Sequence, residues 1–133
     1  MVTGAASGIG YAFAERFATE GMRVVLADIE EEALTEAVTR ITASGARAIG
    51  VPTDVADPAS VTALAEGALS EFGGIHVACS NAGVFTGGLL WEQSLADYAW
   101  TMDVNVWGVI HGIRSFVPLM QEQDCDCHIV NTA

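Results

Sequence analysis

Short apolar runs rich in β-branched residues alternate with longer amphipathic stretches along the whole chain. Each run is too short for a typical helix and almost continuously apolar, which is typical of strands buried on both faces of a parallel sheet. The runs cover residues 24–27, 46–51, 75–79 and 129–130. This alternation predicts right-handed crossovers and an open, doubly wound parallel sheet, which is an α/β fold.

Two stretches between the strands carry helix start signals. Asp57 is a preferred N-cap residue, and Pro58 suits the first position of a helix. Ser94 and Asp97 have the spacing of a capping box, in which each satisfies a backbone N–H near the other. We therefore predict one helix that begins after Asp57 and another that begins after Ser94.

The length of 133 residues suits a single domain, residues 1–133, since domains usually have roughly 100–200 residues. Hydrophobic residues make up 51% of the chain, which excludes a disordered protein. Five basic residues stand against 17 acidic ones, and the resulting charge of −12 would repel a phosphate backbone, so we expect no nucleic-acid partner. All five basic residues are arginines, so the chain cannot supply a catalytic lysine.

The sequence predicts neither a membrane segment nor a metal site. The uncharged stretch 72–91 is about as long as a membrane span, but its glycines and polar residues break it into strand and turns. The odd number of cysteines, three, and the lack of a secretory signal favour a reducing cytoplasm. Cys125 and Cys127 are too close together for the usual zinc-binding pair, and Cys79 is expected in the core.

Both ends of the chain bear on the predicted sheet. Only Met1, Val2 and Thr3 precede the first glycine-rich turn, whereas a strand usually needs about 5–6 residues. At the other end, residues 131–133 follow directly on a strand, at the edge of the sheet where ligands bind in such folds. We therefore expect a fragment with an incomplete sheet, in which the first strand is clipped and the last strands are absent.

A glycine-rich loop follows the first strand and leads into a helix. Gly4, Gly8 and Gly10 allow a tight turn and a close approach of the backbone to a ligand, with Ser7 and Ile9 between them. The free N–H groups at the start of the helix suit a pyrophosphate. A plain strand-to-helix turn is the alternative, because glycine is common in any such connection.

Asp28 ends the second strand, where an acidic side chain can accept hydrogen bonds from an adenosine ribose. A 2′-phosphate there would carry about −1.5 to −2 charges next to this carboxylate. No arginine or lysine in the loop would compensate, so the sequence favours NAD over NADP. The alternative is that Asp28 only caps the helix that begins near Glu30.

These motifs resemble the short-chain dehydrogenase/reductase family, whose Rossmann-like domain has the glycine pattern Thr-Gly-x-x-x-Gly-x-Gly. The segments at Asp54–Val55 and Asn81–Gly83 are similar to its later cofactor motifs, although Ser80 stands where the family has Asn. Asn105 matches the family's catalytic-site Asn, which binds a water in the proton relay. The resemblance implies these cofactor-binding residues: Gly4, Ser7, Gly8, Ile9, Gly10, Asp28, Asp54, Val55, Asn81, Ala82 and Gly83.

Simpler interpretations exist for several of these positions. Asp54 could be a turn acid, and Asn81 could belong to an ordinary turn. The Asn105 amide could merely satisfy nearby backbone groups. The three tryptophans, Trp91, Trp100 and Trp107, are expected to serve packing rather than to form a substrate cage.

The family's catalytic Tyr-x-x-x-Lys pair is absent from the sequence. Tyr11 and Tyr98 are followed four positions later by Glu15 and Met102. The resemblance implies an oxidoreductase that transfers a hydride between NAD and an alcohol or carbonyl substrate, and a homo-oligomer when full length. We expect the 133-residue chain alone to be inactive. The alternative is a non-catalytic dinucleotide-binding or interaction module.

Overall fold

A computed structural model describes residues 1–133, and its centre is a sheet of five parallel strands. The strand order is β3-β2-β1-β4-β5, so the chain builds outward from β1 in one direction and then in the other. This confirms the predicted doubly wound α/β fold. The strands are β1 (Val2–Thr3), β2 (Val24–Asp28), β3 (Ala48–Pro52), β4 (Val77–Ser80) and β5 (His128–Asn131).

Helices connect successive strands and cover both faces of the sheet. They are α1 (Gly8–Thr19), α2 (Glu31–Thr42), α3 (Pro58–Phe72), α4 (Leu95–Met102) and α5 (Gly108–Glu122). A π-helical turn over Asp103–Trp107 joins α4 to α5, and a short 3₁₀ turn covers Leu90–Glu92. None of the helices is both long enough and apolar enough to cross a membrane.

Two separate cores lie on the two faces of the sheet. Val25 and Ala27 of β2 point into the core formed with α3 and α5, whose centre includes the fully buried Leu64. Val24 and Leu26 point into the opposite core, formed with α1 and α2. Because successive strand residues face opposite sides, a strand with both faces covered must be apolar throughout.

Local signals fix where α3 and α4 begin. The Asp57 carboxylate accepts a hydrogen bond from the Ala59 N–H at 2.9 Å, and Pro58 is the first helical residue. The Ser94 hydroxyl accepts the Asp97 N–H at 3.1 Å, and the Asp97 carboxylate accepts the Ser94 N–H at 3.1 Å. Both predicted helix starts are confirmed.

The fourth strand begins two residues later than the sequence predicted. Ile75 lies outside it, because the Gln123 side chain satisfies its backbone in place of a strand. The Gln123 amide oxygen accepts the Ile75 N–H at 2.7 Å, and the amide nitrogen donates to the Ile75 carbonyl at 2.8 Å. These two hydrogen bonds connect the end of α5 to the residues just before β4.

Candidate functional site

A cavity of about 670 Å³ opens at the carboxyl edge of the sheet, where β1 and β4 lie side by side. The connections from these two strands run in opposite directions, which is the place where ligands bind in open α/β sheets. Ten of the eleven predicted cofactor-binding residues line it: Gly4, Ser7, Ile9, Gly10, Asp28, Asp54, Val55, Asn81, Ala82 and Gly83. Gly8, the eleventh, is the first residue of α1 beside it, and Asn105 does not line the cavity.

The glycine loop is packed so closely that two of its positions exclude any side chain. Gly4 has a φ of +64°, and a Cβ there would lie 2.8 Å from the Ala82 Cα. A Cβ on Gly10 would lie 2.0 Å from the Gly4 carbonyl oxygen. Glycine at these positions therefore lets the first turn of α1 lie against the loop after β4.

The start of α1 leaves its backbone donors free. Ser7 is the N-cap residue, yet its side chain makes no capping hydrogen bond. The N–H groups of Gly8, Ile9 and Gly10 have no acceptor within the protein, as is expected for an uncapped first turn. These donors, together with the positive end of the helix dipole, form a site suited to an anion.

The carboxylate of Asp28 connects the ends of β1 and β2. One oxygen accepts the Ala6 N–H at 2.9 Å, and the other accepts the Glu30 N–H at 3.2 Å. Glu30, rather than Asp28, is the N-cap residue of α2. Each carboxylate oxygen can accept more than one hydrogen bond, so both can still accept from a ligand hydroxyl.

Thr3 holds the loop after β4 against the end of β1. Its buried hydroxyl accepts the N–H groups of Asn81 at 3.0 Å and Ala82 at 3.1 Å. The Asn81 amide in turn donates to the Thr3 carbonyl at 3.1 Å. Thr3 is the first residue of the glycine pattern but was not among the predicted site residues, and its position directly before Gly4 was the signal that could have found it.

Asp54 occupies a tight turn after β3. Its carboxylate accepts the Ala56 N–H at 2.9 Å, and its own N–H donates to the Ser60 hydroxyl at 3.0 Å. The carbonyl of the next residue, Val55, lies 2.9 Å from the His111 ring nitrogen Nδ1. The turn-acid interpretation therefore describes this local geometry, while the same residues form one wall of the cavity.

The Asn105 side-chain amide forms hydrogen bonds with both backbone groups of Val84. Its amide oxygen accepts the Val84 N–H at 2.8 Å, and its amide nitrogen donates to the Val84 carbonyl at 2.9 Å. Asn105 lies in the π-helical turn Asp103–Trp107. The side chain thus satisfies nearby backbone groups, as the simpler interpretation expected, and its place in a proton relay stays a prediction.

The sequence model for short chain dehydrogenases matches residues 1–133. The chain belongs to the short-chain dehydrogenase family. A 1-deoxy-11-beta-hydroxypentalenate dehydrogenase of Streptomyces avermitilis is 43% identical over 135 residues, which cover 100% of this chain and 50% of that protein. A CLA biosynthesis dehydrogenase/reductase of Lactiplantibacillus plantarum is 35% identical over 133 residues, covering 100% of this chain and 46% of that protein.

Solved structures show the same relationship. A short-chain dehydrogenase/reductase from Burkholderia phymatum, crystallised in complex with NAD, superposes with a TM-score of 0.98 at 54% identity. The match covers 99% of this chain and 47% of that one. The chain therefore spans about half the length of the relatives it matches.

The cavity is also lined by residues that were not among the predicted site residues. Thr53 and Thr132 follow β3 and β5 directly, so their place at the carboxyl edge was predictable from the strands. Trp100 and Val104 come from the α4 region four residues apart, and no sequence motif distinguished them. The remaining such residues are Ile29, Glu30, Ala56 and Val84.

The charges around the cavity are negative. Asp28, Glu30 and Asp54 line it, and no arginine, lysine or histidine does. The positive potential available to a ligand comes from the α1 N-terminus alone. The structure contains no cluster of three or more metal-binding side chains.

Proposed function

We propose that residues 1–133 form the dinucleotide-binding part of an NAD-dependent oxidoreductase. In this family context, the bound cofactor would accept or give a hydride in exchange with an alcohol or carbonyl substrate. The observation that carries the proposal is the meeting of the free α1 donors, the Asp28 carboxylate and the Asn81–Gly83 loop around one cavity.

The residues present fit a dinucleotide. The N–H groups of Gly8, Ile9 and Gly10 lack protein acceptors and would bind the pyrophosphate. Asp28 would accept hydrogen bonds from the adenosine ribose hydroxyls. Gly4 and Gly10, where a Cβ would clash with neighbouring loop backbone, let the glycine loop pack closely beside these donors.

The charge distribution supports NAD over NADP. A ribose 2′-phosphate beside Asp28 would also face the nearby carboxylate of Glu30. No cationic side chain lines the cavity to offset that repulsion. The like charges would disfavour the phosphate and leave the ribose hydroxyls as the better ligand.

We propose that the chain alone binds NAD without turning over a substrate. It contains no lysine and no Tyr-x-x-x-Lys pair, so it lacks the acid–base group that the family uses. Asn105 remains the one candidate here for a catalytic role, in the proton relay. Purified chain should show no steady oxidation of NADH with ketones or aldehydes.

A homo-oligomer is a further part of the proposal. The α4–α5 region exposes large apolar side chains, with Met102 at 50% and Ile113 at 40% exposure. Apolar surface of this kind is typical of a protein interface. Light scattering after size-exclusion chromatography measures whether a second copy binds.

The test is a calorimetric titration with NADH and NADPH. NADH should bind more tightly to the wild-type chain. Replacing Asp28 by alanine and Ile29 by arginine removes one of the two carboxylates and adds a phosphate partner, so the preference should move towards NADPH. An unchanged ratio of the two dissociation constants would show that Asp28 does not contact the ribose. No binding of either nucleotide would contradict the proposed function itself.

A further inference from the structure

Trp100 presents an aromatic ring to the cavity. It lies in α4, lines the cavity together with Val104, and is 49% exposed. Its ring makes no aromatic contact within the protein, and its indole N–H donates no hydrogen bond to the protein. About half of Trp100 is covered by the protein, so the expectation that the tryptophans serve packing stays a prediction for this residue.

The other two tryptophans differ from Trp100 in their surroundings. Trp107 stacks on His111, with ring centroids 6.0 Å apart, and does not line the cavity. Trp91 is 79% exposed and also lies outside the cavity lining. Trp100 is thus the single aromatic residue of the cavity wall, and the other two are natural controls.

Trp100 lies about one helical turn before Val104, which belongs to the same apolar cluster as Val55. The pyrophosphate would lie at the α1 N-terminus and the ribose at Asp28, so the base attached to that ribose must extend away from α1. Ile29, Val55 and Val104 line the same cavity, and Val55 follows β3, the strand that neighbours β2 and its last residue, Asp28. An apolar wall with one unpartnered indole suits a planar heteroaromatic ring.

We propose that the Trp100 indole packs against the adenine ring of the dinucleotide and is a determinant of nucleotide affinity. This inference rests on the proposed function. Stacking between a base and an aromatic side chain changes affinity by about 1–3 kcal/mol on alanine substitution, which corresponds to about 5- to 150-fold in the dissociation constant. A phenylalanine retains a ring face and should retain most of this affinity.

The test uses fluorescence, because the contact would place the indole against the ligand. A Trp91→Phe and Trp107→Phe double variant leaves Trp100 as the only tryptophan. Adding AMP, which carries adenine and no nicotinamide, should quench or shift its emission. Adding NADH should also produce energy transfer from Trp100 to the reduced nicotinamide.

Affinities of substituted chains complete the test. Trp100→Ala should weaken AMP and NADH binding at least about 5-fold, whereas Trp100→Phe and the control Trp91→Ala should remain close to wild type. Nicotinamide mononucleotide, which lacks adenine, should have the same dissociation constant, determined by competition with NADH, in wild type and Trp100→Ala. A general structural defect would instead weaken both ligands.

The outcomes separate the two proposals. If wild-type chain does not bind NADH, the proposed function fails. If wild type binds NADH while Trp100→Ala binds it equally well, and AMP leaves the Trp100 emission unchanged, the stacking role is wrong and the cofactor site stands.

Discussion

The Thr3 hydroxyl accepts the Asn81 N–H at 3.0 Å, and the Asn81 amide donates back to the Thr3 carbonyl at 3.1 Å. The two residues are 78 positions apart in sequence and belong to the ends of adjacent strands. This reciprocal pair holds together the two loops that form the centre of the cavity. β1 has only two residues, so the side-chain bonds supplement a short ladder.

Substitution of Thr3 tests this connection. Thr3→Val keeps the shape but leaves the N–H groups of Asn81 and Ala82 without their acceptor, and should reduce the free energy of unfolding by about 2–3 kcal/mol. Thr3→Ser keeps the hydroxyl and should cost only about 1 kcal/mol through the lost methyl group. Denaturant titration measures both variants. Equal losses in the two would contradict a role for the hydroxyl.

Gly10→Ala should distort the glycine loop. The added Cβ would lie 2.0 Å from the Gly4 carbonyl oxygen, so the loop or the helix must move. We expect a loss of about 2–3 kcal/mol in stability and no measurable NADH binding.

Gly67→Ala, in the middle of α3, is the matched control. Its Cβ would lie at an ordinary 3.6 Å from the Val51 side chain. It should stabilise the chain by about 0.5–1 kcal/mol and leave NADH binding unchanged. If Gly10→Ala were as well tolerated as this control, the close packing of the loop would be disproved.

The doubly wound sheet could be predicted from general rules, and the family resemblance implied most of the residues that line the cavity. Parallel strands deliver their carboxyl ends to one edge, so residues that follow β1, β2, β3 and β4 had to converge there. Asp28 and Asn81 come together in this way despite their distance in sequence. Hydrophobic periodicity and helix caps were sufficient for the elements between them.

The contributions of α4 and the π-helical turn could not be predicted in the same way. The Asp103–Trp107 turn carries Asn105, whose two hydrogen bonds to Val84 join segments 21 residues apart. From the sequence of α4, Trp100 could equally lie in a cavity wall or in a core. An apolar helical pattern alone does not distinguish these two surroundings.

Removing the Asn105 side chain should loosen the segment after β4. Asn105→Ala loses both hydrogen bonds to Val84 and should reduce the free energy of unfolding by about 1–2 kcal/mol. Asn105→Asp keeps the acceptor for the Val84 N–H and should protect that amide better than alanine does. Hydrogen exchange at the Val84 amide is the measurement. Unchanged exchange in Asn105→Ala would show that the side chain does not hold this segment.

Cys79 and Cys125 should differ in reactivity because they differ in accessibility. Cys79 is 2% exposed and Cys125 is exposed, whereas the pKa of both thiols is raised, that of Cys79 by burial. At pH 8, Ellman's reagent should modify Cys125 in the folded chain and Cys79 only after unfolding. Cys125→Ser should remove the fast phase of the reaction with Ellman's reagent. A fast phase of the same size in that variant would contradict this assignment.

The raised pKa of the Cys79 thiol also predicts that the free energy of unfolding depends on pH. The folded state keeps the thiol protonated to higher pH than the unfolded state does. The stability that comes from keeping the Cys79 thiol protonated is therefore fully present below the pKa of the unfolded thiol, about 8.5. It is lost as the pH rises towards the pKa of the folded thiol. Cys79→Ala should remove that alkaline loss of stability in denaturant titrations at pH 7 and pH 10. An equal alkaline loss in wild type and variant would assign it to other groups.

Amide hydrogen exchange with and without saturating NAD tests the cofactor site most directly. Bound NAD should slow exchange over residues 4–10 and 81–84, because the ligand would bind the first-turn donors of α1 and cover the loop after β4. Residues 44–47, at the opposite edge of the sheet, should exchange at the same rate in both samples, and Gly10→Ala should show no protection. Unchanged exchange over residues 4–10 at a NAD concentration that saturates binding would contradict the proposed site.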